Sequence, residues 1–166
     1  MNSPPLRARS IDELHLFLDL AEWAGERSHR LVDTGAGLVA VYRGRLADGT
    51  AVEAVFAPVP AAPRDAPSQL IDAAQWYRLA SGHAASVTVD GRPMSPEAAA
   101  RLRQALSWLE EARRFAAAGA DALPESAFWT EEGKRALLQD AARFELAMLD
   151  AMQRAWQSLL DRRWPG

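Results

Sequence analysis

The sequence predicts an α+β fold, a small antiparallel sheet of about three strands with an N-terminal helix and a long C-terminal helical hairpin. Three observations predict it. From Thr130 to Trp164, apolar residues fall at Leu137, Ala141, Phe144, Met148, Met152, Ala155 and Leu159, steps of four and three that draw one stripe along a helix, widened by Leu138, Leu149, Trp156 and Leu160. Ser95-Pro96 pairs a capping residue with proline at the first helical position. Asp48-Gly49 lies between two runs rich in valine and aromatics, the strongest short-range mark of a hairpin.

Each element follows in order. Ser10-Ile11-Asp12-Glu13 has the form of a capping box, so a helix is expected from Ile11 to about Glu26. Its apolar residues, Leu14, Phe17, Leu18 and Ala21 on one side and Leu16, Leu20 and Trp23 on another, exceed one narrow face. Gly35 to Gly37 opens the β-region, with strands expected at Leu38 to Leu46 and Ala51 to Ala57. Four prolines between Pro58 and Pro67 predict an extended loop. A short helix from about Pro67 to Ala80, with Leu70, Ala73, Ala74 and Tyr77 inward, precedes a third strand at Ser86 to Val89. The helix opened by Ser95-Pro96 buries Leu102, Ala105, Leu106, Leu109, Ala112 and Ala116 and ends at Gly119.

At 166 residues the chain is expected to form one domain, 10–166, behind a flexible tail, 1–9. A net charge of −3 argues against a phosphate-binding surface, because nucleic-acid affinity rests on clustered Lys and Arg. Lys134 is the only lysine, and acidic neighbours offset Arg113, Arg114, Arg162 and Arg163. The bias toward Ala, Arg and Pro is that of a GC-rich bacterial coding sequence. The absence of cysteine removes disulfides, thiolate metal sites and cysteine nucleophiles. No run approaches the roughly 18 apolar residues of a membrane span, and Met1 to Ser10 lacks a signal-type apolar core. A cytoplasmic location is the expectation, with neither nucleic acid nor membrane as a partner.

Two groupings could carry chemistry. His15, Asp19, Glu22, Glu26 and His29 step along one face if the first helix runs that far, and Glu26-Arg27-Ser28-His29 has the Glu-x-x-His form of carboxylate-bridged metal bundles. A second Glu-x-x-His is missing, so a solvated helix face is the expectation, with no resident metal and no cofactor. Ser81, His83 and Asp90 gather nucleophile, base and acid types, yet no nucleophile elbow surrounds Ser81. A pocket between sheet and helices anchored by Tyr42, His83 and Asp90 is the alternative reading, as a small-molecule binder or enzyme.

The run Gly35-Ala36-Gly37-Leu38-Val39-Ala40-Val41-Tyr42-Arg43-Gly44, with Leu46-Ala47-Asp48-Gly49-Thr50-Ala51-Val52 after it, resembles the opening strands of receptor-like protein kinases. The third glycine of the phosphate loop is Ala40 here, and the strand that should end in the nucleotide-binding lysine reads Val52-Glu53-Ala54-Val55-Phe56. No His-Arg-Asp or Asp-Phe-Gly occurs. The resemblance therefore implies a hairpin and its turn, without phosphotransfer.

With no catalytic motif, the expected function is non-enzymatic: a protein-binding module of the chaperone, immunity-inhibitor or assembly-adaptor kind. Its partner is another protein or a second copy. Tryptophan concentrates in binding hot spots. Trp23 and Trp156, with Leu16 and Leu20, are the expected anchors because they widen their helices' apolar surface.

Overall fold

The computed structural model of the chain describes residues 6–163, except 22, 36, 48, 57–65 and 88–92. Two compact units make up the chain, one ending at Ile71 and the other beginning at Asp72.

The first unit is an α+β arrangement. A two-residue strand β1 (Leu6–Arg7) precedes helix α1 (Ile11–Leu20) and strands β2 (Ser28–Asp33), β3 (Leu38–Arg45) and β4 (Ala51–Phe56). The sheet order is β1-β4-β3-β2: three antiparallel strands, with β1 added parallel to β4. The predicted hairpin is present, and Gly49 supplies the positive φ of +86° that its turn requires.

Helix α1 starts as expected, with the Ser10 hydroxyl accepting from the Glu13 N–H at 3.1 Å. Glu13 reaches one residue further back than a capping box requires. Its carboxylate accepts from the Arg9 backbone N–H at 2.6 Å and from the Arg9 guanidinium at 2.8 and 3.0 Å, while that guanidinium also donates to Ala66 O. Glu13 is only 3% exposed, so the pair ties the chain ahead of α1 to the segment before the second unit.

The helix then stops six residues short of the expected Glu26. Ala21 turns extended, Gly25 takes φ +97°, and the side chains of Trp23 and Arg27 both donate to Leu18 O, satisfying a carbonyl of the last turn. Residues 28–33, between the expected helix end at Glu26 and the β-region expected from Gly35, form β2 against β3. Pairing with a neighbour outweighs local preference here. The third strand is therefore β2, and the one expected at Ser86 to Val89 is not: Ser86 caps a helix, Val87 follows in a turn, and residues 88 and 89 lie outside the described residues.

Leu14 and Phe17 are the buried apolar residues of α1, and Val41 and Ala54 are buried in the sheet. Trp23 packs edge-on to Phe17, beneath the Arg27 guanidinium, and lies flat enough on β3 that a Cβ at Gly44 would meet its ring at 2.5 Å. Gly44→Ala should therefore destabilise this unit by about 1–3 kcal/mol through overpacking. A denaturant midpoint equal to wild type would show that the Trp23 ring is not seated there.

The second unit is helical: α2 (Ala73–Ala85), α3 (Pro96–Arg113), α4 (Glu131–Gln139) and α5 (Leu146–Arg163), with 3₁₀ turns at Glu125–Ala127 and Ala141–Phe144. Helix α2 starts six residues later than expected, because Asp72 and Gln75 form a reciprocal capping box. Helix α3 is capped by Ser95 with Pro96 in its first turn, as the sequence indicates, and the Glu97 carboxyl is held below its usual value by its own backbone N–H and by Ser95. Ala99, Leu102, Ala105, Leu109 and Ala112 are buried along α3, and Trp108, expected beside the stripe, joins them.

The terminal run is two helices rather than one. Asp140 adopts φ −160°, and Leu123 N donates to Phe144 O while Leu146 N donates to Asp121 O. This short backbone pairing takes up groups a continuous helix would use and resets the helical phase. Phe144 is buried as expected, at 1% exposure. Beyond the break, Leu149 and Leu160 are buried with Trp156 half-buried between them, while Met148 is 45% and Leu138 is 88% exposed. The buried face of α5 is thus centred on Leu149 and Leu160, on the widened flank of the expected stripe, while Met148 on its centre line and Leu138 on the same flank are exposed. Leu149→Ala should cost about 2–5 kcal/mol and Leu138→Ala within about 0.5 kcal/mol. The opposite ranking in thermal melts would contradict this assignment of the buried face.

Candidate functional site

The site with unsatisfied interaction capacity in the first unit is the outer edge of β2. Among the described residues no strand pairs on that side, and five of the six residues of β2 are exposed. Hydrogen-bond phase decides which backbone groups face outward. Thr34 N donates to Gly37 O at 3.1 Å, making those two residues a hydrogen-bonded pair. Such pairs alternate along an antiparallel ladder, so Val32–Val39, Arg30–Val41 and Ser28–Arg43 are bonded in turn. On the far side of β3, Leu46 N donates to Thr50 O, which fixes the opposite phase for β3–β4 and agrees with this assignment. The N–H and C=O groups of His29, Leu31 and Asp33 consequently point away from the sheet, toward solvent.

The side chains of these same residues share one face with Leu38, Ala40 and Tyr42. His29 stacks on Tyr42, ring centroids 5.6 Å apart. Leu31 is 66% and Leu38 55% exposed, and their places in the ladder make them diagonal neighbours. Asp33 closes the turn, one carboxylate oxygen accepting from Gly35 N at 2.9 Å. On the opposite face Arg43 and Glu53 form an ion pair across β3 and β4. An apolar patch therefore adjoins an open row of backbone donors and acceptors, flanked by an imidazole and a carboxylate.

The predicted anchors lie elsewhere. Trp23 is half-buried in its own unit on Gly44, and Leu16 and Leu20 are half-buried on α1. Trp156 is half-buried against Val87, Ala99, Leu102 and Leu160. Each contributes to packing, so substitutions at these positions report on folding as well as on association. Tyr42 belongs to the first unit and His83 to the second, and Asp90 lies outside the described residues. His83 is not in a loop: it occupies the last turn of α2, edge-on to Trp108 at 4.4 Å, with Nδ1 buried and unpartnered. Ser81 donates to the Tyr77 and Arg78 carbonyls of its own helix and, two positions from His83, does not face it.

The expected row His15, Asp19, Glu22, Glu26 and His29 is broken, because α1 ends at Leu20 and His29 is on a strand. Among the described residues no group of three or more His, Asp or Glu side chains is placed to hold a metal ion. No helix of the described residues is long and apolar enough to cross a membrane.

One buried acid escaped sequence reading. Asp72 is fully buried; Oδ1 accepts from Gln75 N at 2.9 Å, and Oδ2 accepts from Thr130 N at 3.1 Å and from the Thr130 hydroxyl at 2.6 Å. The Thr130 oxygen in turn accepts from Gly133 N at 2.9 Å. One carboxylate thus caps α2 and anchors the cap of α4, where two helix N-termini favour negative charge. The signal was Asp72-Ala73-Ala74-Gln75, a capping-box spacing read through as helix interior. Its lone pairs are occupied by structural donors, so Asp72 is an architectural acid.

Comparison with family models, with curated proteins and with solved structures finds no match.

Proposed function

We propose that the chain is a protein-binding module that takes an extended backbone along the free edge of β2. The observation that supports this is the coincidence, at residues 29, 31 and 33, of outward backbone groups with the exposed Leu31–Leu38 patch. Strand addition uses these two features together: main-chain hydrogen bonds hold the incoming segment, and alternate side chains select it. An edge of this kind left bare is a template for unwanted pairing, which proteins ordinarily blunt by covering it or with charge. Arg30 and Asp33 supply some of that protection, but Leu31 between them adds apolar surface. A chaperone, an immunity-type inhibitor and an assembly adaptor would each use such an edge to hold a client strand, and a bacterial cytoplasm is the setting proposed for it.

Leu31→Pro tests this cleanly. The Leu31 N–H faces outward, so proline removes a donor that β3 does not use, a position where an edge strand tolerates it. Capture from host lysate with the wild-type chain should enrich a partner, and Leu31→Pro should weaken that association at least about ten-fold with the thermal midpoint little changed. A partner retained equally by both would place the binding surface elsewhere.

A further inference from the structure

We propose that the occupant of this edge is a second copy of the chain, its β2 running antiparallel about a two-fold axis at Leu31; this rests on the strand-addition reading above. The outward groups are arranged symmetrically, with His29 two positions before Leu31 and Asp33 two after. Centring on Leu31 therefore makes Leu31–Leu31 and the two His29–Asp33 combinations all hydrogen-bonded pairs, each exchanging two bonds. An isologous contact needs this kind of self-complementary patch.

Charge chooses the register. With Leu31 at the axis, each His29 imidazole lies opposite the Asp33 carboxylate of the other copy. One oxygen of that carboxylate accepts from Gly35 N, and a carboxylate has a second oxygen to offer an opposing imidazole. The two Leu31 side chains, each 66% exposed alone, meet at the centre, with both Leu38 residues diagonal to them on the same face. On the reverse face Arg30 lies opposite Val32. Shifting the axis to Arg30 sets two guanidiniums side by side at the closer, non-hydrogen-bonded spacing, and shifting it to Val32 sets Leu31 against Asp33. Only the register about Leu31 is complementary in both charge and apolar contact. The product is a continuous sheet through both copies, with the two β2 strands at its middle and no bare edge there.

Sedimentation velocity on the full chain, from about 1 µM to about 1 mM, reads this directly. The wild-type chain should pass from 18.2 kDa to twice that mass with rising concentration. Leu31→Pro should remain monomeric. His29→Asp, which keeps the strand but opposes two carboxylates, should weaken the dimer roughly ten-fold, and Asp33→His added to it should recover part of the loss. His29→Asp also serves should Leu31→Pro fail to fold. A dimer untouched by His29→Asp overturns the proposal. So does a wild-type chain that stays monomeric throughout; if Leu31→Pro then still abolishes capture of a different protein, self-pairing has failed while the strand-addition reading survives.

Discussion

Phe144→Ala should lower the stability of the helical unit by about 3–5 kcal/mol, among the largest effects expected of a single side-chain truncation among the described residues. Phe144 is 1% exposed, and its ring meets Phe128 at 4.7 Å and Tyr77 at 5.3 Å, both edge-on. Its backbone also accepts from Leu123 N, so the residue cannot swing aside to refill the space. The deletion thus combines lost transfer energy, lost aromatic contacts and a cavity walled by elements that are pinned by hydrogen bonds. Chemical denaturation followed by far-UV circular dichroism measures it; an unchanged helical transition would mean that the ring is replaceable where it sits.

Removing Asp72 should come close to this. Asp72→Ala strips acceptors from Gln75 N, Thr130 N and the Thr130 hydroxyl, leaving donors without partners in a fully buried place. Two helix caps fail together, so a loss of roughly 3 kcal/mol is expected, with Asp72→Asn intermediate because one acceptor oxygen survives. Gly133→Ala should act through the same spot, since a Cβ there would collide with Asp72 Oδ2. Because the substitutions break one arrangement, combining Asp72→Ala with Gly133→Ala should cost clearly less than the sum of the two. Additive losses would show that the α2 and α4 caps are independent.

Much of the fold was legible because its signals are local. Ser10, Ser95-Pro96 and Gly49 each act within a few residues, and each marks the boundary expected of it. Apolar periodicity located Phe144 and, on α3, Leu102, Ala105, Leu109 and Ala112. What it could not find were the breaks. The interruption at Asp140 depends on pairing between residues 121–123 and 144–146, and the end of α1 depends on Trp23 and Arg27 reaching Leu18 O. Both are contacts between segments whose own composition is compatible with helix. The edge strand is the clearest case: Ser28-His29-Arg30-Leu31-Val32-Asp33 has little β-character by itself and is a strand because β3 lies beside it. Sequence reading therefore placed His29 in a metal-like row and sought anchors among the tryptophans. Outward backbone groups leave no mark in side-chain composition.

Residue-resolved amide hydrogen exchange tests the central claim, that β2 offers an open edge to another strand. In dilute protein the amides of His29, Leu31 and Asp33 should exchange quickly, while those of Arg30 and Val32, bonded to β3, are protected. On association, with a second copy at high concentration or with a captured partner, the three odd-numbered amides should slow and their even-numbered neighbours change little. Uniform protection along β2 in dilute protein, or three odd-numbered amides that stay fast in the associated state, would contradict it.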